Sequence, residues 1–212
     1  MMETPLPFIS GILLAAGLST RMRQPKQLLP FGKSTIVETV VDNMLDAKYS
    51  EVIVVVGHCA EQIQDLLVER PVKIVFNPDY REGMLTSAQA GIRSIDFENA
   101  RNKSNRDAFS LMLVDQPFIT STLIDEVIDA YGQTDKGIVL PSYNYQRGHP
   151  VIFHHGYADD ILALGAESGG VRSLFKSHSD DIHYVPVNTD DVLRDIDYRE
   201  DYERAIKKIN NL

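Results

Sequence analysis

The sequence predicts a single α/β domain over residues 1–212, built on one doubly wound, mostly parallel sheet. Apolar, β-branched runs of strand length alternate with stretches that have helical periodicity. The connections between them are short, which favours right-handed crossovers and a sheet covered by helices on both faces. A chain of 212 residues with 43% hydrophobic residues is enough for one core of this kind.

The first half of the chain alternates strictly between strands and helices. Residues 12–14, 52–57 and 72–76 are apolar runs that predict buried parallel strands. Thr35 and Glu38 have the spacing of a capping box and predict the start of a helix that continues to Lys48. Further helices are expected at residues 61–69 and from Gly83 to Arg93. The predicted order of this half is therefore β-α-β-α-β-α.

The second half continues the alternation as far as a terminal helix. Strands are expected at residues 109–114, 138–141 and 183–187, and helices at residues 120–131 and 199–209. The polar segment 96–107 predicts an exposed loop. Between Tyr143 and Val151, a Gly-His-Pro turn predicts a hairpin that lies over the ligand site at the carboxyl ends of the strands.

Composition limits the partners of the chain. A formal net charge of -9 argues against nucleic acid or an anionic membrane surface, because both attract basic proteins. No export signal or membrane-spanning run is visible, and the single Cys59 suits a reducing compartment, so we expect a cytoplasmic protein. An anionic small ligand must then be held by local cations.

A turn with almost no side-chain bulk follows the first strand, and we expect Leu14, Ala15, Ala16 and Gly17 to contact a ligand there. A ligand can approach such a backbone closely and meet its amide N–H groups. Arg21 and Lys26 follow on the same loop, and guanidinium and ammonium groups are the cations that bind phosphate. The loop therefore predicts a phosphate-bearing ligand, although a strand-to-helix turn with solvated charges has the same composition.

Two common phosphate-binding motifs are excluded. The dinucleotide fingerprint needs three glycines in G-x-G-x-x-G order, and this loop has only Gly17. The segment from Gly32 to Ser34 imitates the end of a P-loop, but the earlier glycine of that motif is replaced by Gln27.

A carboxylate follows the strand at residues 109–114. Asp115 stands at the carboxyl end of this strand, level with the Gly17 turn in a parallel sheet. A carboxylate in this place could hold Mg²⁺ against triphosphate oxygens, or it could cap the turn before the next helix.

The loop resembles the signature L-A-A-G-x-S-x-R-M-G-x-x-K-x-L-L-P of the molybdenum cofactor cytidylyltransferases, within the wider class of nucleotidyltransferases. The matching positions are Leu14, Ala15, Ala16, Gly17, Ser19, Arg21, Met22, Lys26, Leu28, Leu29 and Pro30. One position departs, because the family glycine after Met22 is Arg23. The resemblance implies that Lys26, Arg21 and Asp115 are catalytic and that Mg²⁺ is the cofactor. It also implies that the nucleotide is bound by Leu14, Ala15, Ala16, Gly17, Arg21 and Lys26.

The resemblance continues along most of the chain. The segment from Asn77 to Ser87 is similar to N-P-x-x-x-x-G-M-x-x-S, which implies that both residues line the nucleotide site, although Asn-Pro and helix-start serines are also ordinary turn residues. Arg147 and His149 match an R-G-H-P-V element and are implied to contact the acceptor. Ser168 replaces an aspartate of a further element, D-x-G-x-R.

A last match lies before the terminal helix. Asp195 and Asp197 occur in a segment similar to D-I-D-T-P-E-D-Y, in which Tyr198 and Arg199 replace Thr-Pro. Residues two apart on an extended chain face the same side, so either carboxylate could bind metal. The family pattern favours Asp197 as the second metal ligand beside Asp115.

The resemblance implies a transferase that uses CTP and a molybdopterin-type phosphate and releases pyrophosphate. It also implies transient contact with a molybdoenzyme or its maturation chaperone. Two alternatives stay open at this stage. The acceptor could be a sugar phosphate or another small phosphate, or the protein could carry the finished cofactor without catalysis. A carrier would not need a pair of metal-binding carboxylates, so the pair favours an enzyme.

Overall fold

The computed structural model describes residues 7–96 and 106–210. Residues 97–105, which make up most of the predicted exposed loop, lie outside this part. The end of that loop differs from the prediction, because Asp107 is only 1% exposed. Its Oδ1 accepts a hydrogen bond of 2.9 Å from the amide of Phe8, which fixes the start of the first strand.

The predicted elements are present with shifted ends. The strands are β1 (Ile9–Leu14), β2 (Pro30–Phe31), β3 (Ser34–Thr35), β4 (Glu51–Val56), β5 (Lys73–Phe76), β6 (Ala108–Leu113), β7 (Ile138–Tyr143), β8 (Gln146–Arg147), β9 (Val151–His154) and β10 (Ile182–Pro186). The α-helices are α1 (Ile36–Leu45), α2 (Ala60–Leu66), α3 (Met84–Arg93), α4 (Ser121–Gln133), α5 (Tyr157–Leu162), α6 (Leu174–Ser177) and α7 (Arg199–Asn210).

One mixed sheet organises the described residues. Its strand order is β10-β7-β9-β6-β1-β4-β5, and β8 pairs with the end of β7. The pairs that β1 makes with β4 and β6 are parallel, whereas β9 runs antiparallel to both β6 and β7. The prediction of a mostly parallel α/β sheet is confirmed, and β9 is the strand that it did not include.

Both faces of the sheet are buried, as the alternation of β1 shows. Leu13 packs into the core that contains α1 and α4, and Ile12 and Leu14 pack into the core that contains α3 and α5. This explains why the central strands β1, β4 and β6 are mostly apolar rather than alternating between apolar and polar residues. Because β4 and β6 both run parallel to β1, the carboxyl ends of these three strands lie at the same edge of the sheet.

Local sequence signals set the first helix. Thr35 Oγ1 accepts a 3.4 Å hydrogen bond from the amide of Glu38, and the Glu38 carboxylate accepts one of 2.9 Å from the amide of Thr35. These reciprocal bonds satisfy two of the amides that a helix start leaves unpaired. Among the described residues, no helix has both the length and the apolar character to cross a membrane.

Candidate active site

The turn after β1 is held to the neighbouring strand by its backbone. The Ala15 amide donates to the Val55 carbonyl at 2.9 Å, and the Ala16 carbonyl accepts from the His58 amide at 3.1 Å. In the described part of the chain, the amides of Ala16 and Gly17 donate to no protein acceptor. These N–H groups stand at the end of a central strand, where a ligand oxygen can accept from them.

Gln27 supports the turn from beneath. Its buried side-chain amide donates to the carbonyls of Ala15, at 3.1 Å, and Gly17, at 2.8 Å. Its carbonyl oxygen accepts from the Ser19 hydroxyl at 3.2 Å, and the same hydroxyl accepts from the Lys26 amide at 3.2 Å. Sequence reasoning missed this residue, since it used Gln27 only to exclude a P-loop.

Charged side chains from three separated segments meet beside this turn, and we call Arg21, Lys26, Asp115 and Asp197 the Lys26 cluster. Lys26 Nζ lies 2.5 Å from Asp115 Oδ2 and 2.8 Å from Asp197 Oδ1. Arg21 Nη1 lies 2.6 Å from Asp197 Oδ2. The side chains of Lys26 and Asp115 are 11% and 16% exposed, so their attraction is only weakly screened by solvent.

The contacts within the cluster shift the pKa values of Lys26 and Asp197. Burial alone lowers the pKa of an ammonium, but the carboxylates of Asp115 and Asp197 outweigh burial and raise the pKa of Lys26. Burial likewise opposes ionisation of Asp197, yet Lys26 and Arg21 lower the pKa of this carboxyl. A cationic Lys26 beside an ionised Asp197 is therefore the stable arrangement.

Asp195 lies next to the cluster but makes a different contact. Its Oδ1 accepts a 2.6 Å hydrogen bond from the side-chain amide of Gln116. Burial and the neighbouring Asp115 carboxylate raise the pKa of Asp195. The Ile196 amide donates to the Asp115 carbonyl at 2.8 Å, which draws the two carboxylate-bearing segments together.

The chemistry of these carboxylates suits a hard divalent cation that is shared with a phosphate. Asp115 Oδ1 is buried and has no hydrogen-bond partner among the described residues, so it can accept a cation. The described residues contain no group of three or more Asp, Glu, His or Cys side chains arranged around one point. Mg²⁺ commonly binds through one or two carboxylates and completes its coordination with phosphate oxygens and water.

Asn77 and Ser87 lie at the junction of β5 and α3 rather than in the Lys26 cluster. Asn77 is 2% exposed, and its Nδ2 donates to the hydroxyls of Thr86 and Ser87, each at 3.0 Å. Its Oδ1 accepts from the Asp79 amide at 3.0 Å. These bonds hold the start of α3 against the end of β5.

A large cavity opens on the α3 side of β1, with a volume of about 810 Å³. Its floor is apolar and includes Leu14, Leu111 and Phe153, and its rim carries Arg147, His149 and Arg172. A cavity lined mostly by apolar side chains, with a few polar groups on its rim, is the usual form of a small-molecule site. Leu14 lines this cavity and also directly precedes the Ala15–Gly17 turn, so the cavity and the Lys26 cluster lie close to the same end of β1.

The β7–β8 hairpin supplies one of the two arginines on the rim. Arg147 donates to the Tyr184 hydroxyl at 3.1 and 2.8 Å, and its guanidinium lies over the rings of Phe175 and Tyr184. Gly148 follows against Val192, where a Cβ at position 148 would come within 2.7 Å of the Val192 carbonyl oxygen. Only glycine fits this close backbone approach, which aims the next residue at the cavity.

His149 is half-buried on the rim of the cavity. Burial and the charge of Arg172 lower the pKa of His149 to about 4. The imidazole is consequently neutral at pH 7 and can donate one hydrogen bond and accept another. Arg172 was not among the predicted site residues, because its segment matched the family element only in part.

Arg23 occupies a backbone position that suits glycine. Its φ of 56° is left-handed, and its amide closes a turn onto the Thr20 carbonyl at 3.3 Å. A side chain is disfavoured in this conformation. The arginine that replaces the family glycine therefore adds a cation to the turn at some cost in stability.

We expect Arg23→Gly to be more stable than Arg23→Ala by a few tenths to about 1 kcal/mol, since relief of the left-handed conformation exceeds the added unfolded-state freedom of glycine. Both variants remove the guanidinium, so the difference between their free energies of unfolding reports only the cost of the left-handed backbone conformation. Urea unfolding followed by circular dichroism measures it. An alanine variant as stable as the glycine variant would show that the backbone is not strained.

The matching family model is the MobA-like NTP transferase domain, over residues 11–182. A protein described as molybdenum cofactor cytidylyltransferase from Escherichia coli is 26% identical over 96% of this chain and 98% of its own length. Nicotine blue oxidoreductase from Paenarthrobacter nicotinovorans is 28% identical over 97% of this chain and 100% of its own length. The family thus includes proteins described by different activities.

Solved structures agree with the family match. Rv0371c from Mycobacterium tuberculosis superposes with a TM-score of 0.81 at 25% identity, covering 95% of this chain and 98% of the other. A complex of Rv0371c with manganese superposes with a TM-score of 0.75 at 23% identity, with the same coverage of 95% and 98%. Because the family model covers residues 11–182, which include the Gly17 turn, Lys26 and Asp115, the chain belongs to the MobA-like NTP transferase domain family.

Proposed function

We propose that this protein transfers CMP from CTP to the phosphate of a molybdopterin-type acceptor and releases pyrophosphate. The observation that carries the proposal is the Lys26 cluster, in which Lys26 lies between Asp115 and Asp197 beside the Gly17 turn. Family members bind a nucleoside triphosphate and a phosphate-bearing acceptor. A site for such a reaction must neutralise phosphate charge, and the cluster has the groups to do so.

In the proposed reaction, an acceptor phosphate oxygen attacks the α-phosphorus of CTP. A bond forms between that oxygen and phosphorus, the bond from phosphorus to the β-bridging oxygen breaks, and pyrophosphate leaves with the electron pair. Lys26 and Arg21 would neutralise the negative charge that grows on the leaving group. The unpaired amides of Ala16 and Gly17 would orient the triphosphate, and Asn77 and Ser87 would border the nucleotide.

Mg²⁺ is the proposed cofactor, held by Asp115 and Asp197, where it would supply positive charge to the triphosphate oxygens. The buried, unpartnered Asp115 Oδ1 supports this assignment. The manganese complex of Rv0371c, a protein of the same fold, is consistent with a divalent cation.

The cavity beside β1 is the proposed acceptor site. Arg147 and His149 on its rim would contact the acceptor, and its apolar floor suits a planar heterocycle. The reaction would take place in the cytoplasm, and the finished cofactor would pass to a molybdoenzyme or its maturation chaperone.

Incubation of the purified protein with Mg²⁺, CTP labelled at the α-phosphate and a panel of acceptors tests this proposal. The panel contains molybdopterin, sugar phosphates and a buffer control. Label transfer to molybdopterin alone supports the proposal, and transfer to a sugar phosphate identifies a different acceptor. No transfer to any acceptor, together with tight binding of the finished dinucleotide cofactor, would favour a carrier.

His149→Ala is expected to raise the KM for the acceptor about tenfold or less while leaving the KM for CTP unchanged, since one neutral hydrogen bond is lost. The measurement is initial-rate kinetics with each substrate varied in turn. His183→Ala, on β10 outside the cavity lining, is the matched control. Equal increases in both constants would place His149 on the nucleotide side.

Ala16→Gly is expected to improve the use of GTP. We propose that the Ala16 methyl narrows the base slot, which favours a pyrimidine over a purine by about ten- to two-hundredfold, as expected for a packing difference of this size. The methyl is buried at the end of β1, near Gly57. Comparing kcat/KM for CTP and GTP in both proteins measures the effect. Preference of the native protein for GTP, or no gain in Ala16→Gly, would mean that the base is recognised elsewhere.

A further inference from the structure

A second concave surface lies on the outer side of the Gly17 loop, with a volume of about 440 Å³. Among the described residues, its charged lining consists of Arg21, Arg23, Arg199 and Glu200, and Tyr198 forms one wall. Three guanidiniums against one carboxylate make this a basic surface on a chain whose formal net charge is -9. We call it the arginine pocket. A local excess of guanidinium groups attracts multiply charged anions.

Arg21 connects the arginine pocket to the Lys26 cluster. One of its terminal nitrogens, Nη1, lies 2.6 Å from Asp197 Oδ2, and its guanidinium carbon lies 5.7 Å from the centre of the Tyr198 ring. The side chain is 60% exposed, so its remaining N–H groups can reach a ligand. An anion in the pocket would therefore lie next to the place where the leaving group separates.

Arg23 has no other evident use. In the part of the chain that the structure describes, its guanidinium makes no hydrogen bond or ion pair, and its side chain is exposed. Its backbone holds the left-handed φ of 56° that suits glycine. An exposed arginine that lines a basic pocket, in a backbone conformation that costs stability, is placed to contact an anionic ligand.

The start of α7 positions the third arginine. Asp201 Oδ2 accepts hydrogen bonds from the amides of Asp197, at 3.2 Å, and Tyr198, at 2.8 Å, which fixes the turn before the helix. Arg199 then begins the helix with its Nε bonded to Glu203 at 3.1 Å. Its terminal nitrogens make no further bond within the described residues. Tyr198 and Arg199 are the residues that replace Thr-Pro of the family pattern, so both departures line one pocket.

We propose that Arg23 and Arg199, together with Arg21, form a subsite for the terminal phosphates of the nucleotide, which after transfer leave as pyrophosphate. That these phosphates belong to a nucleotide rests on the proposed function. That the pocket binds a diphosphate rests only on the three arginines that line it. Arg23 and Arg199 touch neither the α-phosphorus nor the acceptor in this arrangement. They act on the binding of the triphosphate and on product release.

Isothermal titration calorimetry with inorganic pyrophosphate, CTP and CMP tests the subsite without turnover. Arg23→Gly and Arg199→Ala are each expected to weaken binding of pyrophosphate and of CTP about fivefold or more, as expected for loss of a charge-assisted contact. Binding of CMP, which lacks the terminal phosphates, should not change. Arg93→Ala removes an exposed arginine at the end of α3 and is the matched control.

Arg23→Gly also separates charge from structure, because we expect this variant to fold at least as well as the native protein. Unchanged pyrophosphate affinity in both Arg23→Gly and Arg199→Ala would overturn the subsite. Equal weakening for CMP and CTP would also overturn it, since the arginines would then contact the α-phosphate or the sugar. If the variants lose pyrophosphate affinity but the native protein transfers no nucleotide, the subsite stands and the proposed function fails. If the native protein transfers the nucleotide but the two variants bind pyrophosphate as tightly as the native protein does, the proposed function stands and the subsite fails.

Discussion

Asp115→Asn is expected to lower kcat for nucleotidyl transfer about a thousandfold, because an amide keeps the shape of the side chain but loses the charge that holds a divalent cation. Losing such electrostatic stabilisation costs several kcal/mol of barrier, and about 1.4 kcal/mol corresponds to each tenfold in rate. The Asp115 side chain is only 16% exposed, so water cannot replace the lost charge effectively. Steady-state rates at saturating CTP and Mg²⁺ measure the effect.

The fold of Asp115→Asn should persist, since the carbonyl of this residue still accepts from the Ile196 amide and Lys26 keeps Asp197 as a partner. Circular dichroism and cooperative thermal unfolding test this. Asp129→Asn removes a carboxylate of an exposed ion pair with Lys48 and serves as the control. Near-normal turnover of Asp115→Asn with Mg²⁺ would show that the metal assignment is wrong. A harmless Asp197→Asn beside an inactive Asp195→Asn would move the second ligand to Asp195.

Lys26→Met should lower kcat about a hundredfold or more while raising the KM for CTP much less, since the ammonium would neutralise charge that grows as pyrophosphate departs. Initial rates over a range of CTP concentrations separate the two constants. Lys26→Arg keeps the charge and should retain part of the activity. A variant with normal kcat and only a higher KM would reduce Lys26 to a binding residue.

A second measurement on Lys26→Met does not depend on activity. Without the ammonium, the carboxylates of Asp115 and Asp197 lose the cation that lies 2.5 and 2.8 Å from them. Their repulsion should lower thermal stability, and Mg²⁺ should restore more stability in this variant than in the native protein. Equal effects of Mg²⁺ on both proteins would contradict a shared role of the two carboxylates in binding the cation.

The alternation of strands and helices was predictable because each buried strand is a continuous apolar run and α1 begins with a capping box. The position of β9 was not, because the sequence shows only that the chain turns near Gly148. It does not show that residues 151–154 re-enter the sheet between β6 and β7 and run antiparallel to both. Pairing between distant strands depends on tertiary packing, which local periodicity does not encode.

The sequence could predict those parts of the candidate site in which a charged residue directly follows a strand. Asp115 follows a central strand, and parallel strands bring such positions to one edge. The sequence could not distinguish Asp195 from Asp197, because residues two apart on an extended chain face the same side. In the structure, only Asp197 contacts Lys26 and Arg21. The support that Gln27 gives to the Gly17 turn depends on side-chain bonds to backbone carbonyls, which no residue pattern specifies.

The most direct test of the central claim follows the two ends of CTP in parallel single-turnover reactions with Mg²⁺ and molybdopterin. One reaction contains CTP labelled at the α-phosphate and the other contains CTP labelled at the γ-phosphate. Attack at the α-phosphorus predicts that the α-label enters the acceptor product and the γ-label appears in pyrophosphate, in equal amounts and at equal rates. Recovery of the γ-label as inorganic phosphate, or of the α-label only in free CMP, would contradict nucleotidyl transfer by this protein.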